Sequence, residues 1–131
     1  MNAARTRPTP LELPAHCLRR RGQVSVSEVK AWAVAHGEQA AEIALEDCAS
    51  QDAAMRVFAR ALHLPKWFGA NLDALYDVLT DLPGEAGWTL VVGGLTHGRL
   101  PAATREALLE VLRDAVDDAA GRGRPFRVLY D

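Results

Sequence analysis

The chain has 131 residues, 49% apolar and 24% charged. That is the size and balance of one globular domain, which needs no metal or disulfide to fold. No apolar run reaches the roughly 20 residues that span a bilayer, and Met1–Pro14 holds no apolar core of a secretory leader, so a cytoplasmic location is expected. The formal charge of −2 hides an asymmetry: residues 1–37 sum to +4 and residues 38–131 to −6. An acidic body repels nucleic acid and attracts basic partners.

Residues 1–24 lack periodicity, and Pro8, Pro10 and Pro14 interrupt them, so an extended or mobile arm is expected there. Arg19, Arg20 and Arg21 read either as a phosphate-binding patch or as solvated charges on that arm; three charges fall short of a recognisable tract. The opposite signs of arm and body also allow the arginines to fold back and mask an acidic surface. Ser25 and Glu28 have capping-box spacing, which predicts a short helix to about His36, stopped by Gly37. Residues 40–46 read as a strand. Ser50 can cap a helix in which Met55, Phe58 and Leu62 face inward, ending at Pro65. A tight connection, Lys66-Trp67-Phe68-Gly69, leads to a helix near Asn71 with an inward stripe of Leu72, Leu75, Leu79 and Leu82. Trp88–Val92 is a continuous apolar run, as in a buried parallel strand, terminated by Gly93 and Gly94. Pro101 opens a long helix with Leu108, Leu109, Val111, Leu112, Ala115, Val116 and Ala119 inward and Gly121 and Gly123 at its end. Residues 125–130 form the last strand. The expected fold is α/β: a small three-stranded parallel sheet flanked by helices with right-handed crossovers. Residues 1–37 are read as a basic arm plus short helix, and residues 38–131 as the main domain.

Signals for catalysis fail one by one. Ser25, Ser27 and Ser50 lie in no G-x-S-x-G elbow. His16, His36, His63 and His97 have no metal-ligand spacing. The Gly93–Gly98 loop follows a strand but lacks the lysine of a phosphate loop. Cys17 and Cys48 form no redox or metal motif. Cys48 precedes a helix whose N-terminus could activate a thiol, yet no base stands beside it in sequence. No catalytic residue, metal or cofactor is therefore expected.

The unusual element is the helix near residues 71–82. Asp73, Asp77 and Asp81 recur at i, i+4 and i+8, on one side, with Glu85 just beyond. No Lys or Arg occurs between Lys66 and Arg99. Like charges at that spacing cost an isolated helix about 0.2–0.5 kcal/mol per pair, and an aspartate in the last turn opposes the helix dipole. Tyr76 and Thr80 fall between the leucine and aspartate stripes, and Trp67 and Phe68 stand just before the helix. A solvated helix face would also be charged, and Asp73 with Asp77 has a spacing open to a carboxylate pair. An aromatic patch rimmed by unpaired acids, however, suits the capture of a basic surface.

Residues 64–79, Leu-Pro-Lys-Trp-Phe-Gly-Ala-Asn-Leu-Asp-Ala-Leu-Tyr-Asp-Val-Leu, resemble the signature of the barstar family, roughly L-P-x-aromatic-aromatic-G-x-N-x-D-A-L-x-D-x-L. Weaker similarity runs from about Ala40 to Tyr130, with the same order of elements. The resemblance implies a non-catalytic inhibitor, monomeric when free, that plugs the basic active site of a barnase-type ribonuclease or related toxin nuclease by placing carboxylates where phosphates would sit. It implies that Asp77 is the principal anchor, Asp73 a second contact, and Trp67 an aromatic packed over the nuclease's catalytic groups. Gly69, Asn71, Tyr76 and Thr80 become further contacts, and Asp114 stands where the family has a peripheral glutamate. Tyr76 replaces a tryptophan, and Asp81 and Leu82 replace a glycine and a tryptophan. The first 37 residues lie outside the small inhibitor core. These departures keep open a barstar-fold interaction module with a different, non-nuclease partner; a third reading, nucleic-acid binding by residues 5–21, rests on the basic segment alone.

Overall fold

The computed structural model describes residues 11–65, 68–82 and 86–131. The elements run β1 (His16–Arg20), α1 (Val26–Ala35), β2 (Gln39–Ala44), α2 (Gln51–Ala61), α3 (Leu72–Leu79), β3 (Trp88–Gly93), α4 (Ala102–Arg122) and β4 (Phe126–Tyr130). All pairings are parallel, in the order β1-β4-β3-β2. The α/β architecture matches expectation, but the sheet has four strands rather than three.

The additional strand is β1, and the expectation of an arm does not hold for residues 16–20. His16 to Arg20 pair in register with Phe126 to Tyr130. Only two of its residues, Cys17 and Leu18, carry an apolar signal, and they enter different cores on opposite faces. That is too short a pattern to read beside three arginines. Two of the three arginines, Arg20 and Arg21, meet the carboxyl end of the sheet, and among the described residues neither is paired with an acid of the acidic helix. Arg20 donates to Thr96 Oγ1 at 3.2 Å and lies over the Tyr130 ring, and Arg21 pairs with Asp131 at 2.7 Å.

Period-two alternation sorts the strands between two layers. Leu90, Val92, Phe126, Val128 and Ile43 face the larger core, which α2, α3 and α4 cover with Met55, Phe58, Leu75, Leu79, Leu108 and Leu112. Val91 and Leu129 face the other way, onto Val29 of α1 and a fringe of Leu13, Cys17, Val24 and Val26. Arg127, two residues before Leu129 on β4, is 4% exposed on that second face. Its guanidinium donates to Glu38 at 2.6 Å and to the Pro14 carbonyl, and sits 4.5 Å from the centre of the Trp32 ring. Trp32 in turn stacks on His36. A buried cation is tolerated only when such partners replace its water.

Helix ends follow the sequence signals. Ser25 and Glu28 form the reciprocal capping box, and Ser50 caps α2. Gly123, at φ +71, ends α4, while Gly121 stays inside it. Among the described residues, no helix is long and apolar enough to cross a membrane.

Candidate protein-binding face

The face is built around α3, whose start is set by Asn71. The Asn71 side chain accepts from the Ala74 amide at 2.8 Å, and its Nδ2 donates to the Gly69 carbonyl at 3.3 Å. Both residues, expected as interface positions, thus also shape the loop. Two non-glycine residues bracket that loop in the left-handed region, His63 at φ 54 and Ala70 at φ 52, a conformation that costs an L-residue about 1 kcal/mol. His63 supplies the turn that closes α2, with Leu64 N–H donating to the Ala59 carbonyl at 2.9 Å. At the other end, the Thr80 hydroxyl donates to the Asp77 carbonyl at 3.0 Å and caps the helix. Replacing Asn71 with Ala removes an N-cap from a helix of eight residues. Thermal denaturation should show a loss of about 1 kcal/mol.

Leu75 and Leu79 are buried in the core and fix the rotation of α3. That rotation turns Asp73, Tyr76 and Asp77 toward α4. Between the two helices lies an open groove of about 810 Å³. Asp73 and Asp77 line it from α3; Glu110, Asp114, Asp117 and Asp118 line it from α4; Tyr76 and Val111 contribute apolar surface. Among the described residues, no Lys or Arg lines it. Asp118 is held by Arg122 at 3.0 Å, but among the described residues Asp73, Asp77, Glu110, Asp114 and Asp117 have no cation within ion-pair distance. Carboxylates of one sign along a cleft with low-dielectric walls focus the field and concentrate cations.

Four of the expected site residues therefore meet: Asp73, Tyr76, Asp77 and Asp114. Asn71 and Thr80 sit at the two ends of the same helix. Gly69 lies across it, beside a second hollow that also includes Asp77 and Asp81. Trp67 and Glu85 lie outside the described residues. Sequence reasoning missed Glu110, Asp117 and Asp118. The signal was present, since Glu110, Asp114 and Asp117 recur at i, i+4 and i+7, but nothing local to α4 says which helix that stripe faces.

Two other regions are settled by their bonding. The Gly93–Gly98 loop is a packed connection and not a phosphate cradle. The Gly94 amide donates to Asp131 Oδ1 at 2.8 Å, Thr96 N–H to the Asp131 carbonyl at 2.8 Å, and Gly98 N–H to the Gly94 carbonyl at 3.0 Å. Gly94 has φ +77, and a Cβ there would stand 2.5 Å from the Glu46 backbone. Burial pushes the Cys48 thiol up, with Asp47 and Glu46 adding to the shift; burial likewise raises Cys17. Neither thiol is activated.

A parallel α/β sheet carrying two acidic helices around an open groove describes a binding domain. The family model of barstar, the barnase inhibitor, matches residues 38–131. The chain belongs to the barstar family, and β1 and α1 precede the matched segment. It is also similar to the DNA ligases of two strains of Methylorubrum extorquens. Each is 32% identical over 117 residues, covering 83% of this chain but only 14% of the ligase.

Proposed function

We propose that the chain is an inhibitor that binds the basic active site of a barnase-type ribonuclease or related toxin nuclease through the α3–α4 groove and the loop before α3. The observation that carries this reading is the set of five carboxylates, on two helices, that face one groove without a cation of their own among the described residues. A nuclease site is positive because it binds phosphates. A groove of carboxylates competes for the same cations, and Tyr76 adds the aromatic surface that anchors many interfaces. Asp77 is the principal anchor in this reading, with Asp73, Tyr76 and Asp114 around it. Titrating the chain into a barnase-type ribonuclease assay at moderate salt should give one-to-one inhibition. A well-folded chain that leaves the nuclease fully active would overturn the proposal.

A second reading follows from the two ligase relatives. The similarity to this chain occupies 14% of each ligase, so a domain of this kind also stands inside a larger protein that is not named as an inhibitor. The chain would then be a barstar-fold module whose partner is not a nuclease. Binding of a partner without ribonuclease activity, lost with Asp77→Ala and unaccompanied by ribonuclease inhibition, would favour this reading.

A further inference from the structure

β1 does more to the sheet than extend it. It hands the chain to α1, which packs on one face through Val29, while β3 hands it to α4, which packs on the other through Leu108 and Leu112. β4 lies between these two strands. Connections that leave toward opposite faces open a crevice outside the carboxyl ends, which is where open parallel sheets bind their ligands. Here it opens over the end of β4, where β1, β4 and the loop after β3 converge. Arg20 donates to Thr96 Oγ1 at 3.2 Å and covers the Tyr130 ring. Arg21 pairs with one oxygen of Asp131 at 2.7 Å, and the Gly94 amide donates to the other at 2.8 Å. The Nε of Arg21 is buried and, among the described residues, has no acceptor.

We infer that this crevice is an anion site for a single phosphate group, and that the Asp131 side chain is its resident competitor. A carboxylate is already held there, and both its oxygens are used, which leaves the buried Arg21 Nε–H unanswered. A phosphate group brings three acceptor oxygens and about two charges at neutral pH. It can replace Asp131 on Arg21, satisfy Nε and reach Arg20, in charge-assisted hydrogen bonds. Arg20 has no carboxylate within ion-pair distance among the described residues. The loop after β3 remains a packed connection; the two guanidiniums carry the site, with the Thr96 hydroxyl beside them. Releasing the Asp131 side chain leaves the strand in place, because its backbone N–H donates to the Val92 carbonyl and its carbonyl accepts from Thr96 N–H. A further acid, Glu46, packs against Gly93 and Gly94. With acids this close and an acidic body beyond, a strand of phosphates is repelled where one phosphate is held. Arg20 and Arg21 precede residues 38–131, so the site is not a property of the family-matched segment alone.

The test titrates the isotope-labelled full chain with inorganic phosphate, with a nucleoside 5′-monophosphate, and with a single-stranded RNA lacking a terminal phosphate, each against sodium chloride at equal ionic strength. Phosphate and the nucleotide should shift the amides of Arg21, Thr96 and Asp131 saturably, with Kd on the order of millimolar, and leave Asp73 and Asp77 unmoved. Tighter binding of the nucleotide assigns the phosphate to a nucleotide; equal affinities assign it to the free ion. Asp131→Asn should tighten binding about tenfold, because the crevice no longer holds its own anion. Arg20→Gln, at an exposed position, should weaken it about tenfold. Shifts that sodium chloride reproduces, or an affinity that either variant leaves unchanged, would overturn the inference. RNA that binds more tightly than phosphate and nucleotide would assign the arginines to a polynucleotide and overturn it as well.

Discussion

Asp77→Ala is expected to weaken binding to a barnase-type ribonuclease by about 2–5 kcal/mol or more, roughly 30-fold to several thousandfold; the barnase–barstar pair is itself one of the systems behind that range. The loss is large because removing one member of a desolvated charge pair strands the other. In the free protein the same change should be neutral or slightly stabilising. Asp77 is exposed, alanine is the better helix former, and like-charge contacts with Asp73 and Asp81 disappear. Inhibition constants measured beside thermal midpoints separate the two effects. Asp77→Asn keeps the shape and removes the charge, so it should behave like the alanine variant. Affinity within twofold of wild type, in a folded variant, would remove Asp77 from the interface.

Arg127→Ala should give the largest loss of stability, about 3–5 kcal/mol in urea unfolding. The Arg127 and Glu38 side chains are 5% and 14% exposed, so truncation leaves the Glu38 carboxylate with little water and no cation. It also removes the donor to the Pro14 carbonyl and the cation over Trp32. Arg127→Met should recover a good part of the loss, because an apolar replacement fills the space without demanding partners. Binding by the α3–α4 groove should persist in whatever fraction stays folded, since Arg127 lies on the other face of the sheet. A loss below about 1 kcal/mol would mean that water reaches Glu38.

Much of this fold is legible in the chain, and the illegible parts have common physical causes. β3 is written as an unbroken apolar run because it is buried on both faces. Leu72, Leu75 and Leu79 give both the existence of α3 and its rotation, which is why Asp73 and Asp77 could be placed on one side. The capping box at Ser25 and the stop at Gly37 are local chemistry and read locally. β1 escapes because an edge strand with arginines at its end has little apolar content of its own; its place is decided by pairing with β4, at the far end of the chain. The α4 half of the groove escapes for the same reason. A stripe of acids on one helix does not disclose which neighbour it faces.

The N-terminal strand and helix have a consequence for self-association. β1 satisfies the outer row of backbone N–H and C=O groups on β4 from Phe126 to Tyr130, and α1 covers Val91 and Leu129. Without them, the sheet would present an unpaired edge beside an uncovered apolar stripe, the combination that recruits another chain by strand addition. The sheet's two outer edges are then β1, which ends in exposed Arg19 and Arg20, and β2, which carries exposed Glu42 in mid-strand with exposed Glu46 just beyond its end; charge on an edge discourages a visiting strand. The described part of the N-terminal segment lines no part of the acidic groove and instead covers the opposite face of the sheet, where strand addition would otherwise compete with any partner that charge selects.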